Sequence, residues 1–104
     1  MSKAYCIDMS GSMSKEQIDR AFAFVQKGIE AEDFIIAFDV NAAVVDSNKL
    51  PYLGPVGRGG TDATEALALA KSLGCYSVIL IGDGMMLPEQ LAQFDKFIDI
   101  ESIK

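Results

Sequence analysis

Five residues that offer only oxygen donors stand at three points along the chain: Asp8, Ser10 and Ser12 in Asp8-Met9-Ser10-Gly11-Ser12, Thr61 in Gly59-Gly60-Thr61-Asp62, and Asp83 in Gly82-Asp83-Gly84. Two carboxylates and three hydroxyls, with no nitrogen or sulfur donor, make a hard ligand set. Such a set suits Mg2+, Mn2+ or Ca2+ rather than zinc or copper. Alternate residues of an extended turn face the same way, so Asp8, Ser10 and Ser12 can point at one ion, and Gly11 lets the backbone turn tightly among them. Gly59-Gly60 similarly allows the Thr61 loop a close approach.

The rest of the composition narrows the chemistry by exclusion. The 104 residues include no histidine, so no Ser-His-Asp or Cys-His nucleophile pair and no imidazole metal site can be assembled. Nine Lys and Arg against fifteen Asp and Glu give a formal charge of −6. That balance argues against a nucleic-acid partner, which would require a basic face. Hydrophobic residues make up 50% of the chain and charged residues 23%, enough for one packed core and a single domain over residues 1–104. No stretch approaches the roughly 20 apolar residues of a membrane helix. Met1-Ser2-Lys3 leads straight into an apolar strand and not into a signal peptide. Cys6 and Cys75 lie far apart, within or beside apolar runs, and read as buried free thiols of a reducing compartment. We therefore expect a cytoplasmic protein and, with Met1 so close to the first strand, a complete small one.

The elements that must position these donors follow from hydrophobic period. Ala4-Tyr5-Cys6-Ile7 is a continuous apolar run, as in a strand covered on both faces. Ile18, Ala21, Phe22, Val25 and Ile29 form a helical stripe, opened by a capping box of Ser14 and Gln17 and closing near Gly28. Phe34-Ile35-Ile36-Ala37-Phe38 and Ala42-Ala43-Val44-Val45 are strands separated by Asp39-Val40-Asn41, too short for a parallel crossover, so they should pair antiparallel. Asp39 and Asn41 are then turn residues. The Pro- and Gly-rich segment 50–60 reads as loop.

A second helix carries Ala63, Ala66, Leu67, Ala70 and Leu73, with Asp62 and Glu65 as a capping-box pair and Gly74 as its stop. Ser77-Val78-Ile79-Leu80-Ile81 is a further strand. Pro88 opens a third helix with Leu87, Leu91, Phe94 and Ile98 on one face, although residues 98–104 partly alternate and could instead form an edge strand. This order implies a doubly wound, Rossmann-like α/β domain: three layers around a mostly parallel sheet with one antiparallel strand. Ligands collect at the carboxyl ends of the strands in such sheets. If the first and fourth strands are neighbours, Asp8, Ser10, Ser12, Thr61 and Asp83 converge there.

The run Asp8-x-Ser10-x-Ser12, Thr61 in Gly57-Arg58-Gly59-Gly60-Thr61-Asp62, and Asp83 after an apolar strand together resemble the metal-ion-dependent adhesion site (MIDAS) of von Willebrand factor A-type (vWA) domains, in the flavour of small bacterial A-like forms. The match runs in order from about Tyr5 to Gly84. The resemblance implies a shortened vWA fold that binds Mg2+, or Mn2+ or Ca2+, with metal residues Asp8, Ser10, Ser12, Thr61 and Asp83. Ser10 and Ser12 would coordinate through their hydroxyls and Thr61 directly or through water. Asp8 and Asp83 would act through bound water and by hydrogen-bonding the serines. A position would remain for a carboxylate from a partner protein.

The sequence departs from that pattern in three places. Only 20 residues follow Gly84. Gly82 stands where Thr is common. The helix usual before the Thr loop is replaced by the Pro/Gly-rich segment.

The expected activity is therefore metal-dependent protein interaction and not catalysis. The competing reading is a Mg2+-dependent phosphoryl-transfer or hydrolase domain with Asp8 as nucleophile. Ser10 stands where such a site would need a second Asp, and the sequence contains no Gly-x-x-x-x-Gly-Lys loop. Arg58 reads as a solvated loop residue. Met9 and Met13 are expected to pack inward, while Met85 and Met86 offer an apolar rim beside the site.

Overall fold

β1 (Lys3–Asp8) is buried at every position after Lys3, which is why its sequence is a continuous apolar run and not an alternating one. In the computed structural model the described residues are 2–11, 13–39, 41–45, 62–84 and 86–103. After β1 come α1 (Lys15–Gly28), β2 (Phe34–Phe38), β3 (Ala42–Val45), α2 (Thr64–Ser72), β4 (Ser77–Gly82), α3 (Pro88–Leu91) and β5 (Lys96–Asp99), then a 3-10 turn, Ile100–Ser102.

The described strands form one sheet of order β3-β2-β1-β4-β5. β1 lies between β2 and β4, parallel to both, with Cys6 opposite Ile36 on one side and Leu80 on the other. β3 runs antiparallel to β2, as the three-residue connection requires, and β5 continues the parallel set beside β4. The fold is thus the mostly parallel α/β arrangement expected, with one antiparallel edge strand.

Alternation along β1 divides the core in two. Tyr5 and Ile7 face α1, meeting Ile18, Ala21, Phe22 and Val25, while Ala4 and Cys6 face α2 with Ala66 and Ala70. The fully buried Phe22 and Phe38 sit in opposite layers, each worth about 1.5–3 kcal/mol of transfer free energy.

Local signals hold at the start of α1 and the end of α2 and are modified at the start of α2 and the end of α3. Ser14 and Gln17 form the expected reciprocal capping box on α1. At the end of α2, Gly74 takes φ +75°, and the Gly74 and Cys75 amides donate to the Lys71 and Ala70 carbonyls. That double bond is the Schellman closure that a left-handed glycine makes possible.

At the start of α2 the Asp62–Glu65 box does not form. Asp62 Oδ1 accepts from Thr64 N at 2.9 Å, one residue earlier than a box requires. The third helix is also shorter than its apolar spacing implies, ending at Leu91. Asp95 exchanges bonds with Val78, its N–H donating to the carbonyl at 2.8 Å and its Oδ2 accepting from the amide at 2.7 Å. This aligns the chain beside β4, so Phe94 packs on the α2 side while Ile98, in β5, packs on the α1 side. Among the described residues, no helix is long and apolar enough to cross a membrane.

Candidate metal centre

Buried polar residues mark one end of the sheet. Asp8, Ser10 and Asp39 are the buried polar or charged residues among those described, and all three lie at or just beyond the carboxyl ends of β1 and β2. The chain leaving β1 is fixed by Met9 N donating to Phe38 O at 2.8 Å and Met13 N donating to Ser10 O at 3.0 Å. Met9 and Met13, both fully buried in the α1-side core, pin the same loop from below, as expected of inward-packing methionines.

Within that loop, Ser10 N donates to Asp8 Oδ1 at 2.9 Å. The second carboxylate oxygen, Oδ2, is buried and accepts no hydrogen bond among the described residues. Burial raises the Asp8 pKa above the ordinary value of 3.8. The Ser10 hydroxyl and amide pull it back, and neighbouring Asp83 pushes it up again. β1 and β4 are therefore paired closely enough to set Asp83 beside Asp8, which Ser10 also bonds.

Two acids crowded together, one with an unpartnered buried oxygen, fit a hard divalent cation, because a positive charge would relieve both the repulsion and the desolvation. No group of three or more His, Cys, Asp or Glu able to hold a metal occurs among the described residues. A cation here would thus draw on hydroxyls as well as on Asp8 and Asp83. Ser12 and Thr61, the other two expected ligands, lie outside the described residues, as do Arg58, Gly59, Gly60 and Met85.

The described chain resumes at Asp62. Asp62 N donates to Asp39 O at 2.9 Å, docking Asp62 on the end of β2. Asp39 also makes the turn expected of it, its Oδ1 accepting from Asn41 N at 2.8 Å. Its second task, holding Asp62, is absent from a turn-residue reading. The available signal was its position at the end of a buried strand, the same position that Asp8 occupies.

Gln90 was missed altogether. From α3 its Oε1 accepts from Ala63 N at 3.0 Å, and its Nε2 donates to Asp62 Oδ1 at 2.8 Å and to Thr64 Oγ1 at 3.3 Å. Thr64, through its hydroxyl and amide, and then Gln90 hold the Asp62 carboxyl below its ordinary pKa. A glutamine in a short helix carries no sequence signal for such a role.

No family model matches the chain, and a comparison with curated proteins finds no match. Among solved structures, the chain is similar to an aerotolerance-related membrane protein from Bacteroides fragilis NCTC 9343 carrying multiple mutations to serines. The TM-score is 0.66 at 15% identity, over 95% of this chain and 67% of that one. At such identity the likeness establishes the fold alone, a mostly parallel five-stranded α/β sheet flanked by helices and consistent with a shortened vWA- or Rossmann-like fold.

Proposed function

We propose that the protein is a divalent-metal-dependent protein-interaction module without catalysis of its own. Mg2+ is the expected ion, with Mn2+ or Ca2+ as substitutes, held by Asp8, Ser10, Ser12, Thr61 and Asp83 in the manner of a MIDAS. The observation that carries this reading is the buried Asp8 carboxylate, in contact with Ser10 and Asp83 and with Oδ2 unpartnered. Two carboxylates balance the charge of the ion and leave it able to attract a carboxylate from a partner protein. Apolar surface flanks the Asp83 arm. Leu87 is 63% exposed and Phe97 38%, and the Phe97 ring lies against Gly84. Met86 packs partly into the α2-side core, so Leu87 and Phe97 supply more of this rim than Met86 does. The two free cysteines support a reducing, cytoplasmic setting.

Titration of the purified protein with Mg2+ and Mn2+, beside Asp8→Ala and Ser10→Ala/Ser12→Ala variants, tests the proposal. Saturable binding by the wild type that is lost in the variants supports it. Equal behaviour of all three proteins overturns it.

A further inference from the structure

A cavity opens on the α1 side of the sheet, at the end where the parallel strands begin and away from Asp8. Its volume is about 500 Å3, within the roughly 300–1,000 Å3 usual for small-ligand sites. Tyr5 is the register partner of Ile79, and Ile79 that of Lys96. The three side chains therefore stand side by side on one face of the sheet and form the cavity floor. Phe24, from the last turns of α1, supplies the apolar wall opposite.

The cavity exists because the two faces are unequally covered. α2 and α3 both pack on the other layer, through Ala66 and Leu91. On this side α1 is the one helix among the described residues, and Ile100 of the 3-10 turn covers only the far end. The start of β4 and β5 is left open beside α1.

Charge is segregated here as well. The chain carries a net −6, yet among the described residues no acid lines this cavity. Three of the six Lys and Arg in the described residues do: Lys3, Lys27 and Lys96. Asp33, 3.9 Å away, offsets Lys3. Lys27 and Lys96 are exposed and make no ion pair among the described residues. A cation suits the last turn of α1, and a lysine suits an edge strand. Neither reason accounts for both lysines lining one apolar cavity.

We propose that this cavity binds a small amphipathic carboxylate, its apolar body on Tyr5, Ile79 and Phe24 and its charge met by Lys27 and Lys96. The site is separate from the cation site and needs no metal.

Decanoate is the probe, followed by amide NMR in the presence of EDTA, with decanol and decylammonium as comparators of the same chain length. Decanoate should cause saturable shifts centred on Gly28, Ile79 and Lys96. Decanol should bind at least about tenfold more weakly, and decylammonium should leave these amides unmoved. Lys27→Glu/Lys96→Glu should weaken decanoate at least about tenfold. Phe24→Ala should weaken decanoate and decanol alike. Both variants change side chains that already meet solvent, so thermal melting should show the fold intact.

Equal binding of decanol and decanoate overturns the proposal, as does wild-type affinity in Lys27→Glu/Lys96→Glu. Shifts that do not saturate, or that fall outside the cavity, overturn it too. A helical peptide of Leu and Glu that shifts these amides where decanoate does not would replace the small carboxylate with a protein partner.

Discussion

Gly82 and Asp8 occupy a space that holds only one side chain: a Cβ on Gly82 would lie 2.7 Å from the Asp8 Cβ and 3.2 Å from its Oδ2. Glycine here is a condition of the close approach of β4 to the end of β1. The volume that a side chain at position 82 would need is given to Asp8.

Replacing Gly82 should therefore damage both stability and site. Gly82→Ala is expected to cost about 1–3 kcal/mol as overpacking, and Gly82→Thr more. Urea denaturation checks the stability, and Mg2+ titration of the folded fraction checks the displacement of Asp8. A Gly82→Thr protein as stable as the wild type would show that β4 can move away from Asp8 without loss.

Glycine at the end of α2 answers to a different constraint. Nothing lies within 4 Å of a Cβ on Gly74, whose φ is +75°. Gly74→Ala should thus cost only the left-handed conformational penalty, about 1–2 kcal/mol, with metal affinity unaltered. Thermal melting with and without Mg2+ separates the two glycines.

The pH dependence follows from the raised pKa of Asp8. A carboxyl whose folded pKa exceeds its unfolded value binds its proton more tightly when folded. The metal-free protein should therefore gain stability as pH falls through that folded pKa, with the gain complete below 3.8. Mg2+ affinity should fall over the same window, because the proton competes for the site. Asp8→Asn removes the buried charge and keeps an acceptor for Ser10 N, so at pH 7 without metal it should melt higher. About 1 kcal/mol would raise the Tm by roughly 4–8 °C. A lower Tm would show that the ionised Asp8 is already satisfied.

Thiol reactivity offers a check on the α2-side core. Burial, and then the nearby Cys75, push the Cys6 thiol up to about 12, and Cys6 is fully buried. Iodoacetamide at pH 8 should modify Cys75, which is half-buried, only slowly, because burial raises its pKa as well. Cys6 should react only after unfolding. Mass spectrometry of native and denatured samples reads both sites, and rapid native labelling of Cys6 would contradict the packing.

How much of this was legible in the sequence depends on the range of the interaction involved. The first four strands, α1 with its Ser14–Gln17 box, the β2–β3 hairpin and the end of α2 are set by neighbouring residues, and their patterns foretold them. The segment after Pro88 was not so simple. Leu91, Phe94 and Ile98 keep a helical spacing, but Asp95 binds Val78 and turns the chain into a strand, an outcome fixed by a partner far away in sequence. At the candidate site, residue type and strand-end position single out Asp8, Ser10 and Asp83. Their contact depended on the β1–β4 pairing, which the sequence alone left conditional. Gln90 reaches Ala63, Asp62 and Thr64 from 26 to 28 residues away, and Asp39 holds Asp62 through its own carbonyl, bonds that no local pattern encodes.

The parallel pairing of β1 with β4 also has a kinetic consequence. Asp8 and Asp83 stand near opposite ends of the chain, and Lys3 meets Ser77 only once everything between has been looped out. Such long-range parallel contacts form late and slowly. A cation shared by these two acids would find little of its site in the folding transition state. It would then act by retarding escape from the native state rather than by hastening arrival, making the loaded protein long-lived more than quick to fold.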